Sequence, residues 1–199
     1  MKAYKLTDEN SRTKNNTQWG ENVTHSATGQ GTKLCSDGWI HFYKSPLLAV
    51  FMNPIHGAFS NPILWECECS GKMVHEPTKS GCKTLTTIRK VELPSVTTTQ
   101  RVAFGILAVK KAYKNPKWNQ WADNWLSGKD RTADAAADAA YAATTAYAAI
   151  AAYAATTAYA AYGAAAAADA AADAAAAADA AAADTSINLQ QIAEEAMKY

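Results

Sequence analysis

The residues best equipped for chemistry in this 199-residue chain are four cysteines and four histidines: Cys35, Cys67, Cys69, Cys82, His25, His41, His56 and His75. All of them precede residue 83, so a zinc site of thiolate and imidazole is the first chemistry to consider. No pair shows the C-x2-C or H-x3-H spacing that presents two ligands to one ion, and the sequence assigns no metal and no cofactor. Because no N-terminal apolar stretch resembles a signal peptide, the cysteines read as thiols rather than as a disulfide framework.

A second group could hold a ligand. Gly38, His41, Phe42 and Ser45 fall on a β-prone run leading into a proline-started helix, a geometry that can cradle an anionic group. With Lys5 and His56 they form the candidate ligand-binding set, and no catalytic residue is assigned. The bland reading of His41 is a strand histidine tied up in hydrogen bonds. A third group is Trp118, Trp121 and Trp125, at i, i+3 and i+7, beside Lys110, Lys111, Lys114 and Lys117. A tryptophan stripe at helical spacing is core more often than a base-stacking platform, so nucleic acid is disfavoured as a partner.

Charge divides the chain. Residues 1–131 hold 18 Lys and Arg against 10 Asp and Glu, whereas residues 132–199 hold Lys198 alone against 8 acids. The basic part favours an anionic ligand or an acidic protein surface through its summed field, unless it faces the chain's own acids.

Positioning these groups requires an α+β fold. Strands are expected at Lys2 to Leu6, Trp39 to Tyr43, Ile63 to Cys69 and Thr84 to Leu93, with Thr7 to Lys33 a long polar loop. Ser45-Pro46 starts a short apolar helix, Thr97-x-x-Gln100 is a capping box for a helix running to Asn115, and Pro116 opens another that Gly128 ends. The expected organisation is a β-rich head over 1–94, two helices over 95–131 completing it, an Ala-rich helical segment over 132–184, and a short amphipathic helix over 185–199.

The Ala-rich segment reads as one long helix, either a rod of about 80 Å or a hairpin reversing near Gly163. Asp134, Asp138, Tyr141, Thr145, Thr156 and Tyr159 share one stripe, and the opposite face is almost bare alanine. Small side chains let helix backbones approach closely, so Ala143, Ile150, Ala154, Ala161, Ala165 and Ala172 are the expected contacts of a homo-oligomer. The tract is too weakly hydrophobic and too studded with Asp to cross a bilayer, which leaves a cytoplasmic protein with no membrane partner as the expectation.

The stretches Met1-Lys-Ala-Tyr-Lys, Leu34-Cys-Ser-Asp-Gly-Trp-Ile-His-Phe-Tyr-Lys-Ser-Pro-Leu and Trp65-Glu-Cys-Glu-Cys-Ser-Gly resemble an uncharacterised family of phage and prophage proteins. Its members pair a short β-rich N-terminal domain with a variable, repetitive or Ala-rich C-terminal half. The resemblance implies a viral origin, host cytoplasm as the location, and no particular activity. Gly38, His41, Phe42 and Ser45 also resemble the second motif of ADP-ribosyltransferases, which implies a dinucleotide cradle; Glu66, Glu68 or Glu92 would then supply the acid. Thr145 and Thr156, 11 residues apart in an alanine background, resemble the repeat of type I fish antifreeze helices, which implies ice binding.

The functional expectation is a non-enzymatic phage accessory protein that self-associates and binds a host protein or a small nucleotide-like anion, antagonising host defence. An ADP-ribosyltransferase-like enzyme or its inactive descendant is the alternative, and an ice-binding helix the second.

Overall fold

The computed structural model describes residues 1–132, 134–136, 176–177, 179–180 and 186–199. It divides into two compact units, Met1–Ser95 and Val96–Tyr199.

In the first unit the β-branched and aromatic runs form strands where their side chains can alternate across a sheet. β1 (Lys2–Thr7), β6 (Ile63–His75), β7 (Ser80–Val91) and β4 (Val23–Ser26) follow one another in an antiparallel sheet, and β5 (Ile40–Phe42) pairs with β7 beyond the end of β4. Two short strands, β2 (Arg12–Thr13) and β3 (Thr17–Gln18), make a separate hairpin. The main sheet closes on itself. Tyr43, the residue after β5, exchanges both backbone hydrogen bonds with Tyr4 of β1, at 2.7 and 2.8 Å, completing a small barrel through β1, β6, β7 and β5.

Ala3, Trp19, Phe42, Trp65, Cys67, Cys69, Cys82 and Leu85 form the buried interior. The helix α1 (Pro46–His56) packs against β1 and buries Leu48 to Met52. Its start is set by Pro46, whose missing N–H costs nothing in a first turn.

β6 and β7 run longer than the sequence suggests, as one hairpin that crosses Gly71. There a register shift separates the pair Ser70 and Thr84 from the pair Met73 and Cys82, and Gly71 takes a φ of 77° that suits a residue without Cβ. The expected polar loop over Thr7 to Lys33 is also more ordered than its composition implies. Within it Val23–Ser26 joins the sheet, with Thr24 hydrogen-bonded to Thr86 and Ser26 to Thr84 across the strands.

The second unit is helical. α2 (Thr98–Ala112) begins at a complete capping box: Thr97 Oγ1 accepts from the Gln100 N–H, and Gln100 Oε1 accepts from the Thr97 N–H. α3 (Pro116–Leu126) is capped by Asn115 and buries Trp118, Trp121 and Trp125 on one face. α4 (Leu189–Ala196) packs Leu189, Ile192, Ala193 and Ala196 inward, lies against α2, and is tied there by Gln100 Nε2 donating to the Met197 carbonyl at 3.2 Å.

The expected fold class needs correction at the Ala-rich segment. Among the described residues there is no long helix: the helices run from 8 to 15 residues. Within 132–184 helix is described only at 134–136, 176–177 and 179–180. α4 packs against α2, which α3 also contacts, and Arg131, just before the tract, is stacked on Trp125 of α3. Alanine's propensity favours helix locally but fixes neither its length nor its partner, and that is why the sequence overstates the rod. Among the described residues the chain is a small β-rich N-terminal unit followed by short helices. Among the described residues no helix is long and apolar enough to cross a membrane.

Candidate functional site

The six candidate ligand-binding residues all lie in the barrel unit, and each has a structural occupation. Phe42 is fully buried in the barrel interior, edge-on to His75. His41 directs Nε2 to the Leu34 carbonyl, and burial holds its imidazole below the ordinary histidine range, in the neutral form. Ser45 is buried at the start of α1, where its carbonyl accepts the Ala49 N–H. His56, near the end of α1, shares a hydrogen bond between Nδ1 and the Tyr43 hydroxyl at 3.0 Å and stacks on the same ring. Burial raises the Tyr43 phenol well above its usual range, so it stays protonated. Gly38 is required by a close approach: a Cβ there would fall 1.9 Å from the Gly31 carbonyl oxygen, and its own carbonyl accepts from Lys83 Nζ at 2.7 Å.

Lys5 is the unexpected member. A strand that alternates must turn Ala3, Lys5 and Thr7 to the same side, and that side is the barrel interior. Its ammonium donates to the His41 carbonyl at 2.9 Å and lies 4.7 Å from the centroid of the Trp19 ring. Desolvation lowers its pKa to about 8, partly offset by the nearby Cys67, Cys82 and Cys69 thiols. Lys5 and His41 are thus brought together, through backbone rather than through a shared cavity. The Gly38 to Ser45 stretch is a closing strand of the barrel, with side chains turned to packing and to loop carbonyls.

The cysteines are free thiols; Cys35 is exposed and the other three are buried. Cys67 donates to the Trp65 carbonyl at 3.5 Å, and burial pushes its thiol up to about 12. Among the described residues no three His, Cys, Asp or Glu side chains are placed to share a metal ion. Cys67, Cys69 and Cys82 converge all the same, because inward positions of β6 and β7 face one another.

The exposed charge lies elsewhere. At the α2–α3 corner Lys111, Lys114 and Lys117 are exposed, whereas Lys110 is paired with Asp123. Lys110 and Lys111 complement the negative end of the α2 dipole. Lys117 does the opposite: it occupies the second position of α3, at the positive end of that helix, where a cation is locally unfavourable. None of Lys111, Lys114 and Lys117 has an ion-pair partner among the described residues. Lys111 also borders a groove lined by Asn188, Gln191 and Glu195. The sequence flagged these lysines only as neighbours of the tryptophans; the stripe itself is core, with Trp118 tilted onto Trp121.

The expected oligomer contacts Ala143, Ile150, Ala154, Ala161, Ala165 and Ala172 lie outside the described residues, as do Thr145 and Thr156. Two alanines of the tract that are described, Ala136 and Ala177, are each only 1% exposed within a single chain. The chain matches no family model, no curated protein and no solved structure.

Proposed function

We propose that this is a non-enzymatic binding protein of phage type, acting in the cytoplasm of the host, whose α2–α3 corner docks on an acidic protein surface. The observation that carries the reading is the cluster of Lys111, Lys114 and Lys117, exposed within seven residues and unneutralised among the described residues, with Lys117 held against its own helix dipole. Lys114 and Lys117 flank an exposed turn rather than a cleft, a shape that meets a protein surface more readily than it encloses a nucleotide. The structural occupation of Gly38, His41, Phe42 and Ser45 supports binding over dinucleotide chemistry.

Fluorescence anisotropy with labelled poly-glutamate as the acidic probe tests it. At roughly 0.5 kcal/mol for each exposed pair, loss of three contacts weakens binding on the order of tenfold, and the charge-reversed Lys111→Glu, Lys114→Glu, Lys117→Glu chain should also lose the salt dependence. Equal binding by the variant overturns the proposal. So does a thermal shift with ATP that the variant retains, which would return a small anionic ligand to the barrel unit.

The same reading takes the chain as self-associating through the alanine face expected of residues 132–184. Light scattering should give a defined oligomer that disperses on Ala154→Glu. The mass of one chain across a wide concentration range, unchanged by that substitution, would overturn self-association.

A further inference from the structure

We propose, resting on the acidic-surface reading of the lysine corner, that a second copy of this chain occupies that corner with its own acidic tract when the partner is absent. Self-association and partner binding then exclude one another. The occupant's chemistry is written in the chain: residues 132–184 carry six aspartates and no basic residue. The corner offers the opposite charge, with Lys111, Lys114 and Lys117 exposed within seven residues.

One chain displays the two charges without joining them. Lys111 is in the last turn of α2, and Lys117 is in the first turn of α3. Asp134, the first acid of the tract, is exposed, and neither it nor the three lysines has an ion-pair partner among the described residues. Asp134 follows the other end of α3. Arg131, three residues before it, donates from Nε to the Trp125 carbonyl at 2.9 Å and stacks on the Trp125 ring. The helix from Lys117 to Trp125 rises about 12 Å, so the corner and the start of the tract mark opposite ends of α3.

Because each copy offers one basic and one acidic patch, the pairing is reciprocal about a two-fold axis, with each corner on the other copy's tract. The acid relieves the mutual repulsion of the lysines and the unfavourable place of Lys117 at the positive end of its helix. Two contacts of three exposed pairs strengthen association by roughly a hundredfold in all. That is a weak lock, and an occupant that must yield requires one. Six aspartates spread from Asp134 to Asp184 make a dilute acidic surface, so a partner with denser acid displaces them.

Sedimentation velocity on the full chain tests the pairing. The variant carrying Lys111→Glu, Lys114→Glu and Lys117→Glu has an acidic corner and an acidic tract. The variant carrying Asp134→Lys, Asp138→Lys, Asp169→Lys, Asp173→Lys and Asp184→Lys has both basic. The parent should be a dimer that dissociates with poly-glutamate, or in about 0.5 M NaCl, where the Debye length is roughly 4 Å. Each variant alone should be a monomer at that protein concentration, and an equal mixture of the two should be a dimer again. The five Asp→Asn counterparts, which keep the side-chain shape, should be monomers that the glutamate variant does not rescue. A parent that is a monomer throughout, or a dimer that both charge-reversed variants retain, would overturn the proposal. Anisotropy with labelled poly-glutamate separates this failure from that of the docking reading. A glutamate variant that loses the probe but keeps the dimer defeats the second copy alone, whereas one that keeps the probe defeats both. Ala154→Glu, dispersed yet more acidic, should bind poly-glutamate more tightly than the parent dimer; equal or weaker binding would end the mutual exclusion.

Discussion

Phe42→Ala is expected to destabilise the barrel unit by about 3–5 kcal/mol, the range for emptying a fully buried aromatic site. Phe42 has no exposed surface and faces Ala3, Trp65, Cys82 and Leu85 in one cluster, so no single neighbour can collapse into the space. It also adjoins Tyr43, whose backbone pair with Tyr4 closes the sheet, so loosening Phe42 loosens the seam. Domains of this size are stable by about 5–15 kcal/mol, so the loss is a large share of the total and the variant should unfold at a much lower urea concentration than the parent. Phe42→Leu keeps most of the volume and should cost about 1 kcal/mol. Urea unfolding followed by tryptophan fluorescence checks both. If Phe42 instead lined a ligand cleft, the alanine variant would unfold with nearly the native midpoint.

That contrast shows where the sequence misleads. A strand reading Ile40-His41-Phe42 between a glycine turn and a capped helix has the composition of a ligand cradle and equally that of a barrel-closing strand. The difference is decided by partners remote in sequence: Gly81 and Cys82 across the ladder, Tyr4 at the seam, and the Leu34 carbonyl that takes the His41 ring. Local signals fared better where the physics is local. Both hydrogen bonds of the Thr97 and Gln100 box form, Asn115 caps α3 ahead of Pro116, and the Trp118, Trp121 and Trp125 spacing marks a buried face. The alternation of Trp65, Cys67 and Cys69 inward with Glu66 and Glu68 away from the interior was also legible.

Val23–Ser26 was not, because its residues carry no apolar face. What holds it is backbone pairing to β7 and hydroxyl pairs such as Thr24 with Thr86, which composition does not report. The Ala-rich tract is the opposite case: strong local propensity without a distinctive packing pattern says helix and nothing of length. Of the six candidate site residues, four are held by side-chain or backbone groups that no motif records.

The Lys5→Met variant should be more stable than the parent at pH 7, and its advantage should shrink by about 3 kcal/mol as pH rises past 10. The reason is linkage. Lys5 has a folded pKa of about 8 against 10.5 in the unfolded chain, so between those values the unfolded state binds more protons and stability rises with pH. Below 8 both states carry the charge and the full desolvation cost applies; above 10.5 both are neutral and it vanishes. A gap of about 2.5 units corresponds to about 3 kcal/mol at 1.36 kcal/mol per unit. Burial is nearly complete, with 8% of Lys5 exposed, so solvent screening removes little of this. Methionine matches the length of the lysine stem and would keep the contact with the Trp19 ring, while losing the bond to the His41 carbonyl. The thiols and Tyr43 oppose the trend, since burial raises Cys67 to about 12 and Tyr43 higher still, so both destabilise the fold as pH climbs above 9. Their effect is common to parent and variant and largely cancels in the difference between the two urea curves. Removing Lys5 also lifts the restraint it places on Cys67, which shifts the difference in the same direction. Parallel pH profiles for parent and variant from pH 7 to 10.5 would mean that the Lys5 ammonium is solvated in the folded protein and that the interior of the barrel is open to water.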